Sequence, residues 1–301
     1  LQEHIATPST TIVTNGVLKV PHDGDPTHFD PLPDWSNLGT LDFRRAVAMS
    51  SDVYFYCLAA GCSQLPGGIQ GAGLGPNRIA RYARTFGLGE LTGIDLPSEV
   101  TGTVPDPKPG QTWYKGDTYF YGIGQSDLTV TPLQMLRVVA AIANGGSILR
   151  PHIVHEIRDA KGDLVTQNEP QVERHVDISP ENLQVMREGM LGVVENGSAP
   201  GAKVPGLQIA GKSGTAEFGA RLSTTHAGEA ANGSYSEHGW FVSFAPYDNP
   251  QVALVVFHDR GGGALTAAPT SAKIWDYYFR QYLPSHPASA ATANANQSAQ
   301  P

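Results

Sequence analysis

One four-residue sequence in this chain has the residue types needed to bind an anionic substrate. Lys212, Ser213, Gly214 and Thr215 continue an apolar run at 207–211 that is typical of a β-strand. A lysine ammonium supplies positive charge, a hydroxyl binds a carboxylate, and a glycine lets a ligand backbone approach closely. Taken alone, the sequence equally describes a solvated strand-end lysine beside a turn glycine.

A second candidate, Ser50-Ser51-Asp52, stands at a predicted break between two helices. It is the chain's only Ser-x-Asn or Ser-x-Asp sequence. Serine and aspartate are also common helix caps, and by itself the cluster is best read as a cap. The order of the two candidates, Ser-x-Asp and then Lys-Ser-Gly, reproduces two of the three motifs of serine β-lactamases and penicillin-binding proteins.

Five longer segments make the likeness far more specific than the two triplets. In composition, order and spacing they resemble the transpeptidase domain of the elongation-type class B penicillin-binding proteins, over about residues 40 to 283. The segments are 50–56 (SSDVYFY), 92–99 (TGIDLPSE), 122–125 (GIGQ), 129–134 (TVTPLQ) with 143–146 (ANGG), and 210–216 (AGKSGTA).

The resemblance implies a role for each matched site residue. Ser50 relays a proton between the two active-site lysines and the leaving amine, and Asp52 holds the substrate amide. Lys212 supplies positive charge. Ser213 and Thr215 bind the terminal carboxylate of the peptide or of its β-lactam mimic, and the backbone N–H of Thr215 forms half of the oxyanion hole.

The chain departs from the family in one motif, because it contains no Ser-x-x-Lys. The nearest sequence, Thr270-Ser271-Ala272-Lys273, is out of family order. The family places the nucleophilic serine and its lysine on a helix shortly upstream of the position of Leu1. We therefore expect an N-terminally truncated domain that forms no acyl-enzyme alone.

The expected fold is α/β (α+β) and resembles the serine β-lactamases and transpeptidases. An antiparallel sheet is flanked by helices, without the N-terminal strands and the nucleophile helix. The resemblance implies that this missing helix would pack on faces around Val47, Phe55, Val138 and Val139. It also implies that the missing strands would pair with the strand at 251–258, which would leave an open sheet edge here.

The implied reaction is D,D-transpeptidation of peptidoglycan. Serine attacks the D-Ala-D-Ala bond of a stem peptide, D-alanine leaves, and the acyl group passes to an amine of a neighbouring strand. The implied partners are stem peptides, β-lactams and other cell-wall synthesis proteins, with a membrane anchor and an extracytoplasmic location for the parent. A β-lactamase or β-lactam sensor of the same fold and a non-catalytic paralogue are the alternatives.

Composition excludes other classes of function. The 301 residues are 40% hydrophobic, which is enough to fill a core. The net charge is −8, and the basic residues form no stripe that could bind nucleic acid. We expect no cofactor. His22, Asp23, Asp25, His28 and Asp30 lie in a Pro- and Gly-rich stretch where such residues are usually solvated, so no metal is expected.

The two cysteines, Cys57 and Cys62, are too few for a disulfide scaffold. They are interpreted as small apolar fillers whose redox state the sequence leaves open.

Capping residues and hydrophobic periodicity predict the helices and strands that position these residues. Thr40 is predicted to cap a helix that breaks at 50–52 and resumes to Ala60. Thr131, Pro132 and Gln134 form a capping box. Further helices are predicted to begin at Pro76, at Ser179-Pro180 and at about Pro269, and strands are predicted at 207–217, 239–245 and 251–258.

The remaining stretches are predicted to be irregular. Residues 6–38 read as short extended pieces and turns, and 218–236 reads as a mobile loop. The domain is predicted to span 1–283, followed by a disordered tail at 284–301.

Overall fold

The structure is a computed structural model that describes residues 1–22, 25–65, 73–218 and 237–286. The chain divides into two compact units, Leu1–Gly189 and Met190–Pro301. The single domain predicted for 1–283 stays a prediction. Nearly all of the predicted loop at 218–236 and most of the predicted tail lie outside the described residues.

The first unit combines helices with small antiparallel ribbons. Strand β1 pairs with β4, β2 with β3, β5 with β8 and β6 with β7. Its elements are β1 (Ile12–Thr14), β2 (Val17–His22), β3 (Asp25–Pro33), β4 (Gly39–Leu41), α1 (Phe43–Met49), α2 (Asp52–Ala60), α3 (Pro76–Thr85), α4 (Lys115–Gly122), α5 (Pro132–Ala143), β5 (Ser147–Arg150), β6 (Glu156–Arg158), β7 (Leu164–Gln167), β8 (Gln171–His175) and most of α6 (Pro180–Glu195).

Helix starts follow the predicted caps with one correction. The capping box of α5 is present, with Thr131 and Gln134 each bonding the other's backbone N–H. Thr40 is not the cap of α1, because it pairs within the β1–β4 ribbon. The cap is Asp42, whose carboxylate accepts from the Arg45 N–H at 2.8 Å.

The prediction that the two cysteines are separate fillers is wrong, because Cys57 and Cys62 form a disulfide. Helix α2 ends at Ala60, and Gly61 turns the chain with a φ of 86°. This turn brings the two Cα atoms to 4.9 Å, within the range that a disulfide spans. Both cysteines are buried.

The segment at 92–99 is a turn fixed by two carboxylates. Glu99 accepts from the backbone N–H groups of Thr92 and Gly93, at 3.0 and 2.9 Å. Asp95 accepts from the N–H groups of Ile153 and Val154, at 2.7 and 2.9 Å. Hydrogen bonds from Val154 and Ile153 hold the pKa of Asp95 below its usual value. The segment therefore has a structural role within the first unit.

The first unit contains an apolar cavity of about 450 Å³. Of the four residues predicted to face a missing helix, Phe55 and Val138 line this cavity, whereas Val47 and Val139 are buried. Most of the lining comes from residues 1–6, α2, α3, α5 and α6; its apolar side chains include Leu1, Ile5, Phe43, Leu58, Ile79, Phe86, Met135, Ile142, Leu183 and Met186.

The second unit is built on an antiparallel sheet of order β11-β10-β9. Phe241, Val256 and Trp275 are buried in its core, where Trp275 Nε1 donates to Ser243 Oγ at 3.1 Å. The elements are β9 (Ala210–Glu217), β10 (Glu237–Ala245), β11 (Val252–His258), a π-helical turn (Gly263–Ala267) and α7 (Ala268–Tyr277), which continues through a second π-helical turn (Tyr278–Tyr282) into α8 (Leu283–Ser285).

No helix among the described residues is both long enough and apolar enough to span a bilayer.

Candidate active site

The predicted site residues fall into two groups that lie in different units. Ser50 and Asp52 belong to the first unit, and Lys212, Ser213, Gly214 and Thr215 belong to the second. Within each unit, the predicted residues are neighbours in sequence and occupy one short stretch of backbone.

Ser50 and Asp52 flank a sharp junction between α1 and α2. Ser50 ends α1 in the left-handed conformation, with φ 56° and ψ 48°, and its N–H donates to the Val47 carbonyl at 3.2 Å. Ser51 is completely buried and caps α2, accepting from the Tyr54 N–H at 3.2 Å. Asp52 occupies the first turn of α2, where the helix dipole favours a negative charge.

A buried aspartate outside the motif supports this junction. Asp34 Oδ2 accepts from the Ser51 hydroxyl at 2.6 Å and from the Val53 N–H at 3.2 Å. The neighbouring Trp35 donates its indole N–H to the Met49 carbonyl at 2.9 Å. Asp34 and Trp35 therefore hold both helix ends at the serine turn.

Sequence reasoning missed Asp34. It directly follows β3, where an aspartate is an ordinary turn residue, and it stands 17 positions before Ser51. Because the contact depends on the tertiary fold, the sequence carries no local signal for it.

The second group lies on β9, an edge strand of the described sheet. Ser213 pairs with Phe241, Gly214 with Trp240 and Thr215 with Gly239 of β10. Lys212 Nζ donates to the Ser213 carbonyl at 2.7 Å, which keeps the ammonium close to the strand backbone. Residues 213 and 215 share one face of the strand, because side chains alternate along it.

Two contacts hold the hydroxyl groups of this strand. Ser198, which follows α6, places its hydroxyl 3.5 Å from that of Ser213. The Gly263 N–H donates to Thr215 Oγ1 at 3.2 Å. In this bond the Thr215 oxygen is the acceptor, and the bond links the site strand to the backbone at Gly263.

The glycines at 261–263 pack directly on the site strand. A Cβ on Gly263 would lie 2.3 Å from the Gly214 carbonyl oxygen, and a Cβ on Gly239 would lie 2.8 Å from that of Gly261. Gly263 therefore allows backbone-to-backbone contact with Gly214.

A strand carrying Lys-Ser-Gly-Thr at the edge of an antiparallel sheet and a Ser-x-Asp turn at a helix junction are the features of a serine acyl-transfer fold. The model of the penicillin-binding protein transpeptidase domain matches residues 1–276. The chain therefore belongs to the family of penicillin-binding protein transpeptidase domains.

Curated and solved relatives agree with this assignment. Peptidoglycan D,D-transpeptidase MrdA of Acinetobacter baumannii is 33% identical over 290 residues, which cover 93% of this chain and 40% of the relative. The Pseudomonas aeruginosa PBP2 crystal structure, a complex with WCK 5153, matches with a TM-score of 0.70 and 28% identity over 93% of this chain and 58% of that one. These likenesses confirm the predicted fold class.

A further solved structure is the complex of Helicobacter pylori PBP2 with MreC. It matches with a TM-score of 0.66 and 26% identity, covering 91% of this chain and 46% of that one. The chain thus spans 40%, 58% and 46% of the length of these three relatives.

Proposed function

We propose that this chain forms part of a D,D-transpeptidase that cross-links peptidoglycan stem peptides by serine acyl transfer. The observation that carries the proposal is Lys212 to Thr215 on the edge strand β9. An open sheet edge accepts an extended peptide as an added strand, and the lysine and hydroxyl groups there suit its terminal carboxylate. The matched family and the name of the A. baumannii relative support the same activity.

In the proposed reaction, the serine of a Ser-x-x-Lys segment attacks the carbonyl of the D-Ala-D-Ala bond. Ser50 passes the serine proton to the leaving D-alanine amine, while the Thr215 N–H stabilises the oxyanion. Asp52 holds the peptide amide. The amine of a second stem peptide then attacks the acyl-enzyme, forms the cross-link and returns the proton to the serine.

We also propose an extracytoplasmic location on the cell membrane for the protein that contains this chain. The Cys57–Cys62 disulfide supports this location, because disulfides persist in oxidising compartments. Stem peptides and β-lactams are the proposed ligands. Other cell-wall synthesis proteins are proposed partners, since a PBP2 relative is solved in complex with MreC.

The decisive test compares two proteins labelled with a fluorescent penicillin. The first is the 301-residue chain. The second is an extended protein in which a segment with Ser-x-x-Lys precedes this chain in family order. We expect no covalent label on the first and a stoichiometric label on the serine of that segment in the second.

Two outcomes contradict the proposal. A stoichiometric label on Ser50 or Ser213 would show that the nucleophile is a different residue. Deacylation of the extended protein within seconds would identify a β-lactamase, whereas a transpeptidase holds the acyl group far longer and cross-links added stem peptides.

A further inference from the structure

Three potential metal ligands meet near the tip of the β2–β3 hairpin. His22 Nδ1 lies 2.8 Å from Asp30 Oδ2, and His28 Nε2 lies 3.7 Å from Asp30 Oδ1. The rings of His22 and His28 are arranged edge to face with their centroids 5.5 Å apart. One ligand atom from each residue lies within 4.8 Å of the other two.

The strand register explains why these side chains share one face. Leu18 pairs with Leu32 and Val20 with Asp30, and the first three of these residues are buried. His28 precedes Asp30 by two residues and lies on the same face, because side chains alternate along a strand. The register shifts between Pro21 and His22, so His22 is placed by its contacts: its Nδ1 lies 2.8 Å from Asp30 Oδ2 and its ring packs edge to face on that of His28. The apolar face of the hairpin therefore ends in two imidazoles and a carboxylate.

The extended pieces predicted within residues 6–38 are present as the paired strands β2 and β3, and the side chains of His22, His28 and Asp30 are exposed, as expected. At the tip, the Asp25 carboxylate accepts from the backbone N–H and the hydroxyl of Thr27, at 2.9 and 2.6 Å. Asp25 is thus engaged in ordering the start of β3. Asp23 lies outside the described residues, and among those that the structure describes the ligand set is His22, His28 and Asp30.

We propose that His22, His28 and Asp30 form a binding site for a zinc-class divalent cation. Two imidazole nitrogens and one carboxylate oxygen are a common zinc ligand set, with water completing the coordination. Zinc bonds of about 2.0–2.2 Å bring ligand atoms to about 3.5 Å from one another. The distances of 2.8 and 3.7 Å already bracket this value, so side-chain rotations suffice.

Imidazole ligands also set the selectivity of the site. Mg²⁺ and Ca²⁺ prefer sets of oxygen ligands, whereas zinc binds imidazole strongly. The His22 and Asp30 side chains are 54% and 44% exposed, which leaves room for water ligands.

The location gives the ion a structural role in the first unit. Asp30 lies within β3, and Asp34, four positions later, directly follows the last residue of that strand. Asp34 in turn bonds Ser51 at the serine turn. A cation that joins β2 to β3 therefore stiffens the strand that leads to this support.

The test measures Zn²⁺ binding to the 301-residue chain by competition with a chromophoric chelator. We expect one Zn²⁺ per chain, unaffected by excess Mg²⁺. His22→Gln, His28→Gln and Asp30→Asn should each weaken binding by at least about 10-fold, the lower end of the loss seen even for outer-shell changes. The triple variant should bind no Zn²⁺ at this site.

The matched control is His152→Gln/His155→Gln, which removes two exposed histidines from another part of the first unit. It should retain wild-type Zn²⁺ affinity. Zn²⁺ should also raise the thermal midpoint of the wild type and of the control, but not that of the triple variant. The triple variant should fold normally without zinc, because the two histidines are exposed.

Two results would overturn the proposal. One is the absence of stoichiometric Zn²⁺ binding to the wild-type chain. The other is binding that does not depend on the three ligands, seen as equal affinity in the wild type and the triple variant or as a loss of affinity in the His152→Gln/His155→Gln control.

Discussion

Ser50 carries a steric cost at the proposed catalytic position. A serine with a φ of 56° is uncommon, and such residues persist where the surrounding structure fixes them. Here the two helices and the Asp34–Ser51 hydrogen bond provide that support. A substitution near this turn therefore changes the orientation of the Ser50 side chain as well as the stability of the fold.

Lys212 should affect acylation far more than folding. In the extended protein, Lys212→Ala should slow acylation by penicillin by about 10² to 10³-fold, the scale for one preorganised electrostatic group. Ser213→Thr is the matched control and should be nearly silent, because it keeps a hydroxyl on the strand. Stopped-flow labelling measures both rates, and a parental rate in Lys212→Ala would leave the motif with only a structural role.

Asp34 and Ser51 should be energetically coupled. Asp34→Ala and Ser51→Ala should each lower the free energy of unfolding by about 1–3 kcal/mol, because each leaves buried polar groups without their bond. The double variant should cost about 1–2 kcal/mol less than the sum, as measured by urea denaturation. Asp34→Ala with Thr92→Ala, whose hydroxyl bonds Glu99, is the control pair and should be additive. Additivity of the Asp34–Ser51 pair would refute the coupling.

The glycine segment after β11 provides a test at the scale of packed elements. Gly263→Ala should destabilise the chain by about 1–3 kcal/mol, because the new Cβ overlaps the Gly214 backbone. Gly262→Ala is the neighbouring control, since its Cβ would meet nothing closer than Leu265 Cβ at 3.9 Å. Its effect should stay within about 0.5 kcal/mol. Equal thermal midpoints for the two variants would show that the segment moves away without cost.

The β9–β10 pair should make stability depend on pH. Burial raises the pKa of Glu237, and the Glu217 carboxylate opposite it adds to the rise. The folded chain then holds its proton more tightly than the unfolded chain, whose glutamate titrates at about pH 4.3. Ionised Glu237 therefore lowers the free energy of unfolding. This destabilisation is absent below about pH 4.3 and grows as the pH rises to the pKa of Glu237 in the folded chain.

Glu237→Gln should therefore raise the thermal midpoint at neutral pH and flatten its decline from about pH 4 upward. Glu169→Gln, at an exposed position, is the matched control and should leave the profile unchanged. A Glu237→Gln profile parallel to that of the wild type would contradict the assignment.

Local signals predicted the elements well where the chain supplies its own caps. Thr131 and Gln134 specify the start of α5 from within four residues, and the break at Ser50 was visible as a run of capping residues. Prediction failed where contacts joined distant positions. Thr40 pairs within a strand ribbon instead of capping a helix, and no local pattern predicts the Asp34–Ser51 bond.

The β2–β3 hairpin shows that a ligand set is equally hard to predict from sequence when its residues are brought together by the fold. Its residues were visible in the sequence, but their meeting depends on the β2–β3 register. Lys212 to Thr215 were recognised because the motif is contiguous along one strand, so that no tertiary information was needed to group them.

At the scale of the whole molecule, two features stay open among the described residues: an apolar cavity and the backbone edge of a strand. The first is the 450 Å³ cavity of the first unit. The second is β11, which pairs with β10 on one side and forms the sheet edge on the other, as predicted. Val252, Leu254 and Val256 of this strand pack into the core, so the exposed element is chiefly its backbone edge.

An open edge of a Val- and Phe-rich strand is a template for intermolecular pairing. We expect the purified 301-residue chain to bind an apolar dye and to associate in a concentration-dependent manner, measured by light scattering. Val255→Lys places a charge on this edge and should reduce association, because edge lysines oppose strand addition. Thr166→Lys, at an exposed position on β7, adds the same charge elsewhere and should change association little. A monomeric wild-type chain with a sharp, cooperative thermal transition would refute the expectation and would mean that the cavity and the β11 edge are tolerated without a partner.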